Sequence, residues 1–184
     1  STVSTSPGSN RLSLHDTVTN LSGTTAEFEV LYHTNIGQPL LEPGGRLAVP
    51  ARRGIPSNAH AAAGIADWNV FAPPQAGYVE QCYFFDLAAD SDGRTLIVLH
   101  DADAQRGVAL EFSTAALPCF TLWKNTVATG DGYVAGIEPS TDLPNPRDFE
   151  REQGRLMSLE AGASWSAHID LLALASQPEV AEAL

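Results

Sequence analysis

The stretch Ala26-Glu27-Phe28-Glu29-Val30-Leu31-Tyr32-His33 alternates with a period of two. Phe28, Val30 and Tyr32 take one face and Glu27, Glu29, Leu31 and His33 the other, as a strand with one core-facing side requires. Working outward, comparable runs occur at Arg11–Asn20, Val79–Leu87, Thr95–His100, Val108–Ser113, Cys119–Lys124, Tyr133–Glu138, Arg155–Leu159 and Ser164–Leu172. Short polar turns separate them, among them Asn20-Leu21-Ser22-Gly23, Ser91-Asp92-Gly93, Gln105-Arg106-Gly107 and Gly130-Asp131-Gly132. Many strands joined by such turns, with almost no helical periodicity, predict an all-β antiparallel sandwich or barrel. Short helices are expected only at Gln177–Leu184 and in the Ala-rich Asn58–Ile65. Residues 50–77 hold too many Pro and Gly for a strand and read as a long functional or lid-like loop. The expected organisation is a linker-like or disordered segment at 1–10, one domain at 11–175, and a tail at 176–184.

With 184 residues the chain is the size of one domain or of part of a larger one. Its 43% apolar content is that of a globular protein, and no uninterrupted apolar run reaches the ~18 residues of a membrane span. A net charge of −12 with ten scattered Lys and Arg leaves no basic stripe for a phosphate backbone, so neither nucleic acid nor membrane is an expected partner. Cys82 and Cys119 lack metal or redox spacing and read as buried free thiols of a reducing, cytoplasmic setting.

Chemistry concentrates in two stretches. In Tyr133-Val134-Ala135-Gly136-Ile137-Glu138-Pro139 an apolar strand delivers one carboxylate, Glu138, and is expected to stop at Pro139, which has no N–H to donate. In Tyr32-His33-Thr34-Asn35-Ile36-Gly37 a strand ends in His33 and enters a polar turn, where an imidazole can move protons or simply bond the backbone. Glu80 interrupts an apolar run and must be paired, turned to a wet cavity, or outward-facing on a half-exposed sheet. Lys124 follows Trp123 and is either a snorkelling surface lysine or a substrate contact. There is no HxH or HExxH spacing, no twelve-residue calcium loop, no nucleophile elbow and no Gly-rich phosphate loop, so neither metal nor cofactor is expected. One His and one Glu on different strand ends suit general acid and base work on a neutral polar substrate.

In order and spacing, Tyr32-His33-Thr34-Asn35-Ile36-Gly37, Leu122-Trp123-Lys124-Asn125 and Gly136-Ile137-Glu138-Pro139 followed by Pro144-Asn145-Pro146 resemble the aldose 1-epimerase, or galactose mutarotase-like, superfamily. The resemblance runs from about Arg11 to Leu172. It implies a large antiparallel β-sandwich that binds a small-molecule carbohydrate in a cleft across one sheet. It further implies Glu138 as base on the anomeric hydroxyl and His33 as acid on the ring oxygen, with Glu80, Asn35, Trp123 and Lys124 as substrate-binding candidates. A carbohydrate-binding or sensing module without turnover is the alternative.

The family's sugar site also draws an Arg and a second His from strands upstream of the catalytic His. Here His33 lies near the start, so the resemblance implies the C-terminal half to two-thirds of such a protein. A missing N-terminal segment of the same protein, or a second copy in a homo-oligomer, is then the expected partner, and without one the sheets should expose unpaired edges.

Overall fold

A computed structural model describes all 184 residues, and the fold is an antiparallel β-sandwich. One layer is a six-stranded sheet ordered β1 (Thr2–Thr5), β2 (Arg11–Thr19), β13 (Ser164–Leu174), β9 (Gly107–Ser113), β8 (Arg94–His100) and β5 (Arg46–Ala48). The other is a five-stranded sheet ordered β4 (Thr34–Gly37), β11 (Val134–Ser140), β10 (Cys119–Asn125), β7 (Gln81–Leu87) and β6 (Ala51–Pro56). A two-stranded ribbon of β3 (Ala26–Phe28) and β12 (Met157–Leu159) packs at one end, where Phe28 meets Trp165 with ring centroids 5.5 Å apart. No helix is long and apolar enough to cross a membrane.

Alternation builds the core. Tyr83, Phe85, Phe120, Leu122, Ala135 and Ile137 point inward from the five-stranded sheet, and Ile97, Leu99, Leu110, Phe112, Trp165 and Ile169 meet them from the other. β8 is buried on both faces, because the helix α3 (Gln177–Ala183) lays Val180 over Val98, Ala109 and Leu174 on the outer side. A strand buried on both faces reads as a continuous apolar run, as Leu96-Ile97-Val98-Leu99 does.

The structure departs from the sequence expectations in several places. Residues 1–10, expected to be linker-like, carry the edge strand β1, paired from Thr2–His15 to Thr5–Leu12. All four of its residues are exposed, so no apolar pattern announced it. The expected loop at 50–77 contains another edge strand, β6, with a bulge between Ala51 and Arg53, ahead of the short helix α1 (Ala59–Ala63), which falls within the expected Asn58–Ile65. Gly54 and Pro56 are tolerated there because an edge strand need pair on one side only.

The Ala26–His33 run is interrupted: β3 ends at Phe28, Leu31 makes an isolated bridge to Ser140, and β4 begins at Thr34. Pro139 does not stop its strand, which continues to Ser140. Its carbonyl accepts from Tyr32 N at 3.0 Å, so its missing N–H faces the side where pairing has already lapsed to that single bridge. The helix α2 (Arg147–Glu152) was not legible either, being too short to show a 3.6-residue period.

Phe120 has no solvent exposure and packs on Phe85 with centroids 5.6 Å apart. Phe120→Ala is expected to destabilise the fold by about 3–5 kcal/mol, read as a lower urea midpoint at unchanged slope. A loss below about 1 kcal/mol would contradict a close-packed inter-sheet core.

Candidate active site

The outward face of the five-stranded sheet is where the chemistry gathers. β11 pairs with β10 so that Glu138 lies beside Thr121 and Gly136 beside Trp123, and β10 pairs with β7 so that Thr121 meets Phe84 and Trp123 meets Cys82. On the other side β4 sets Thr34 against Ile137, which brings the preceding residue, His33, level with Glu138 and on its face. These side chains line a cleft of about 420 Å³ whose walls are completed by Leu31, Ser57, Asn58, Pro144 and Asn145. Two buttresses fix one wall. Asn58 caps α1 through its Oδ1, which accepts from Ala61 N at 2.8 Å, and the buried Tyr83 hydroxyl donates to Ala61 O at 3.0 Å.

Glu138 is the buried member of the His33–Glu138 pair, with 5% of its side chain exposed against 45% for His33. His33 Nε2 lies 2.9 Å from Glu138 Oε1, yet the ring N–H is not aligned on that oxygen, so the contact is a close approach rather than a directed hydrogen bond. Burial pushes the Glu138 carboxyl up to about 7; His33 opposes this and the carboxylate of Glu80 adds to it. Glu138 Oε1 and the 1%-exposed Thr121 Oγ1 are both buried without a hydrogen-bond partner while bordering the same cleft. Orphaned polar atoms of this kind are costly in a core and useful in a binding site. Gly136 makes the arrangement possible: a Cβ there would overlap Glu138 Oε1 and come within 3.1 Å of His33 Cε1.

Glu80 sits one residue before β7, exposed, and its Oε2 accepts from Trp123 Nε1 at 2.7 Å. Trp123 in turn meets His33 edge to face, with centroids 5.4 Å apart. Glu80, Trp123, His33 and Glu138 therefore form one contiguous row. Asn35 is exposed on the same face of β4 as His33, paired with Gly136, but it is not among the residues that line the cleft.

Lys124 is not part of the site, which corrects the expectation of a substrate contact. One step along a strand crosses the sheet, so Lys124 points into the core layer, where Nζ donates to Asp67 O at 2.8 Å and lies 5.7 Å from the Phe71 ring centroid. Burial lowers its ammonium to about 8. It is a buried strut that ties the 3₁₀ turn at Ile65–Asp67 to β10.

Thr121, Phe84, Cys82, Ser57, Asn58 and Asn145 were missed as cleft residues. The signal for Thr121 was its place two residues before Trp123, and that for Asn145 was the Pro144-Asn145-Pro146 motif; Ser57 and Asn58 come from a distant loop and had none. Cys82 is free, and burial, with Glu80 and Glu138 nearby, raises its thiol to about 11, which keeps it protonated. No cluster of three or more His, Cys, Asp or Glu side chains is placed to hold a metal ion.

Comparison with known proteins places the family and the fold. Residues 1–172 match the family model DUF4432, a domain of unknown function. A crystal structure from Klebsiella pneumoniae, described as a "putative aldose 1-epimerase", is 35% identical and superposes with a TM-score of 0.94 over 96% of this chain and 46% of that one. A galactose mutarotase-like protein from Clostridium acetobutylicum (21% identity, TM-score 0.59, 88% of this chain and 52% of that one) shares the fold. So does a galactose mutarotase related enzyme from Lactobacillus acidophilus (16%, 0.62, 91% and 58%). The chain thus spans about half the length of the solved structures it matches. No curated protein matches its sequence.

The buried carboxyl makes a stability prediction. The folded chain holds the Glu138 proton up to about pH 7, whereas the unfolded carboxyl releases it near its ordinary, lower value. The stability contributed by the neutral acid is therefore complete at acid pH and lost as pH rises through about 7. Glu138→Gln is expected to raise Tm relative to the wild type at pH 8, by the equivalent of up to about 3 kcal/mol, with the gap closing near pH 4. An equal gap at both pH values would show that the buried charge is not its source.

Proposed function

Because this chain belongs to the DUF4432 family and folds as a galactose mutarotase-like β-sandwich, we propose that it is the acid/base-bearing part of an aldose 1-epimerase-like isomerase that interconverts sugar anomers. What supports the reading is the 2.9 Å approach of Glu138 Oε1 and His33 Nε2 inside one cleft. The anomeric hydroxyl and the ring oxygen of a cyclic sugar share one carbon, so an acid and a base that serve both must be near neighbours. The Glu138 Oε1 and Thr121 Oγ1 atoms, buried beside the cleft without a hydrogen-bond partner, add to this support, because a hydroxylic ligand could supply the partners they lack.

In the proposed reaction, ionised Glu138 takes the proton of the anomeric hydroxyl while protonated His33 gives its Nε2 proton to the ring oxygen. The bond from the anomeric carbon to the ring oxygen breaks, leaving an open-chain aldehyde with its former ring oxygen as a hydroxyl. Rotation about the C1–C2 bond presents the other carbonyl face. The hydroxyl then attacks C1 and returns its proton to His33, and Glu138 reprotonates the new anomeric oxygen. Both groups end as they began, and no cofactor enters the balance.

The environment suits each role. Burial keeps Glu138 basic enough to accept a proton near neutrality, where an ordinary carboxylate would be too weak a base. Trp123, held by Glu80, supplies a flat apolar flank against which His33 stands and a pyranose face can stack.

Polarimetry on freshly dissolved α-anomers, using the full-length protein, tests this. Acceleration is expected for at least one of a panel of hexoses and pentoses, and Glu138→Gln is expected to lose roughly 10²–10⁴-fold in kcat. The acid limb of kcat/KM is expected near pH 7, not in the ordinary carboxylate range. Sugar-dependent thermal stabilisation that survives Glu138→Gln, without acceleration by the wild type, would make the cleft a carbohydrate-binding module instead.

A further inference from the structure

Pro144 and Asn145 line the cleft that holds Glu138, and the acid/base chemistry uses neither. Their position is nevertheless built with care from below. Asn145 Nδ2 donates to Glu150 Oε1 at 2.8 Å, and Leu143 N donates to Glu150 Oε2 at 3.1 Å. Glu150 has no solvent exposure and is held by Arg155, whose Nε and Nη2 donate to its two oxygens at 2.5 and 2.7 Å. These donors outweigh the cost of burial, so the Glu150 carboxyl lies below its ordinary value and stays ionised.

A buried ion pair adds little net stability over an apolar pair of the same volume, but it fixes geometry. Here the geometry fixed is that of one amide. A carboxylate can only accept, so Asn145 must turn its NH₂ toward Glu150, which leaves Oδ1 as the amide's free acceptor. No protein group donates to that oxygen. Prolines on both sides restrict the backbone, Pro144 and Pro146 through their own rings and Pro146 also through its effect on Asn145. An acceptor oriented in advance binds without a further ordering cost.

We infer that Asn145 is a specificity-determining residue of the cleft: its side-chain carbonyl accepts a hydrogen bond from one hydroxyl of the bound sugar, and the Glu150–Arg155 pair positions it. This rests on the reading that the cleft takes a sugar. Asn145 reads a hydroxyl away from the reacting carbon, so it separates one sugar from its epimer without touching the acid/base pair.

The test compares full-length wild type, Asn145→Ala and Glu150→Gln on one accepted hexose and its set of monodeoxy analogues. Mutarotation gives kcat/KM and ligand-observed NMR gives Kd. Asn145→Ala is expected to lose roughly 3- to 10-fold on the parent hexose, in KM and Kd with kcat retained. On one analogue the variant and the wild type should be equal, because the hydroxyl that made the contact is gone. Glu150→Gln should weaken binding of the parent hexose and leave Kd for that same analogue unchanged; a merely structural role would weaken every analogue alike. An Asn145→Ala loss that is equal on all analogues, or absent on all, overturns the inference. Binding without turnover leaves it to stand or fall on Kd and sinks only the acid/base reading, while a wild type that binds no sugar of the panel overturns both.

Discussion

The site depends on the register between β10 and β11. Because side chains alternate, the pairing of Thr121 with Glu138 and of Trp123 with Gly136 puts the reactive groups on one face, and Leu122 with Ile137 in the core on the other. A slip of one residue would exchange the two sets. It would bury Glu138 among Phe120, Leu122 and Tyr83 and put Ile137 in water, so the same apolar burial that stabilises the sandwich also aims the carboxylate. β4 and β7 extend this order sideways, carrying His33 to one flank of Glu138 and Cys82 and Phe84 to the other.

That dependence explains why so much of the architecture was legible. The strands that carry the core, β2, β7, β8, β9, β10, β11 and β13, announced themselves through apolar periodicity, and Glu138 and His33 through polar groups at the ends of such runs. The elements that escaped contribute little apolar pattern. β1 and β6 are edge strands with almost wholly exposed side chains, and α2 is a six-residue turn of helix tied down by ion pairs from Arg147 and Arg151 to Glu27 and Glu29. Lys124 was misjudged because adjacency to Trp123 in sequence was taken for adjacency in space, and on a strand neighbouring residues face opposite ways. Thr121 shares the face of Trp123 by alternation alone, whereas Asn145 reaches the cleft through a loop closure that strand periodicity does not record.

The treatment of charge separates the two sheets. On the outer face of the six-stranded sheet Glu111 accepts from Arg94 at 2.7 Å and from Arg11 at 2.9 Å, and Asp170 is bound by Arg11, Ser13 and His168. Both carboxyls lie below their ordinary values, Glu111 first through the Arg94 hydrogen bond and Asp170 through Ser13 and Arg11 bonds that outweigh its burial. Glu150 follows the same rule under α2. Glu138 has no Arg or Lys among its cleft neighbours and is the carboxyl whose value rises through burial beside a second carboxylate, Glu80. A fold that neutralises Asp101, Glu150 and Asp170 with guanidinium groups leaves this acid to a half-exposed imidazole, an arrangement poor for stability and suited to proton transfer.

Asp142 is the informative second exception. It is buried, its carboxyl is pushed up to about 7 by burial and by a hydrogen bond with Glu29, and it lies two residues beyond Ser140, the end of the strand that carries Glu138. Ser140 Oγ donates to its carbonyl at 2.6 Å, and the chain then runs through Leu143 into the Pro144-Asn145 wall. A proton held between Asp142 and Glu29 would therefore link the residue that follows the ribbon strand β3, itself paired with Arg147, to the segment leading into the cleft wall. Loss of that proton would set two carboxylates against each other at the root of the wall, with Glu150 close by. Burial thus pushes up two carboxyls at the two ends of one short segment, Glu138 as the base of the proposed chemistry and Asp142 at the root of the cleft wall.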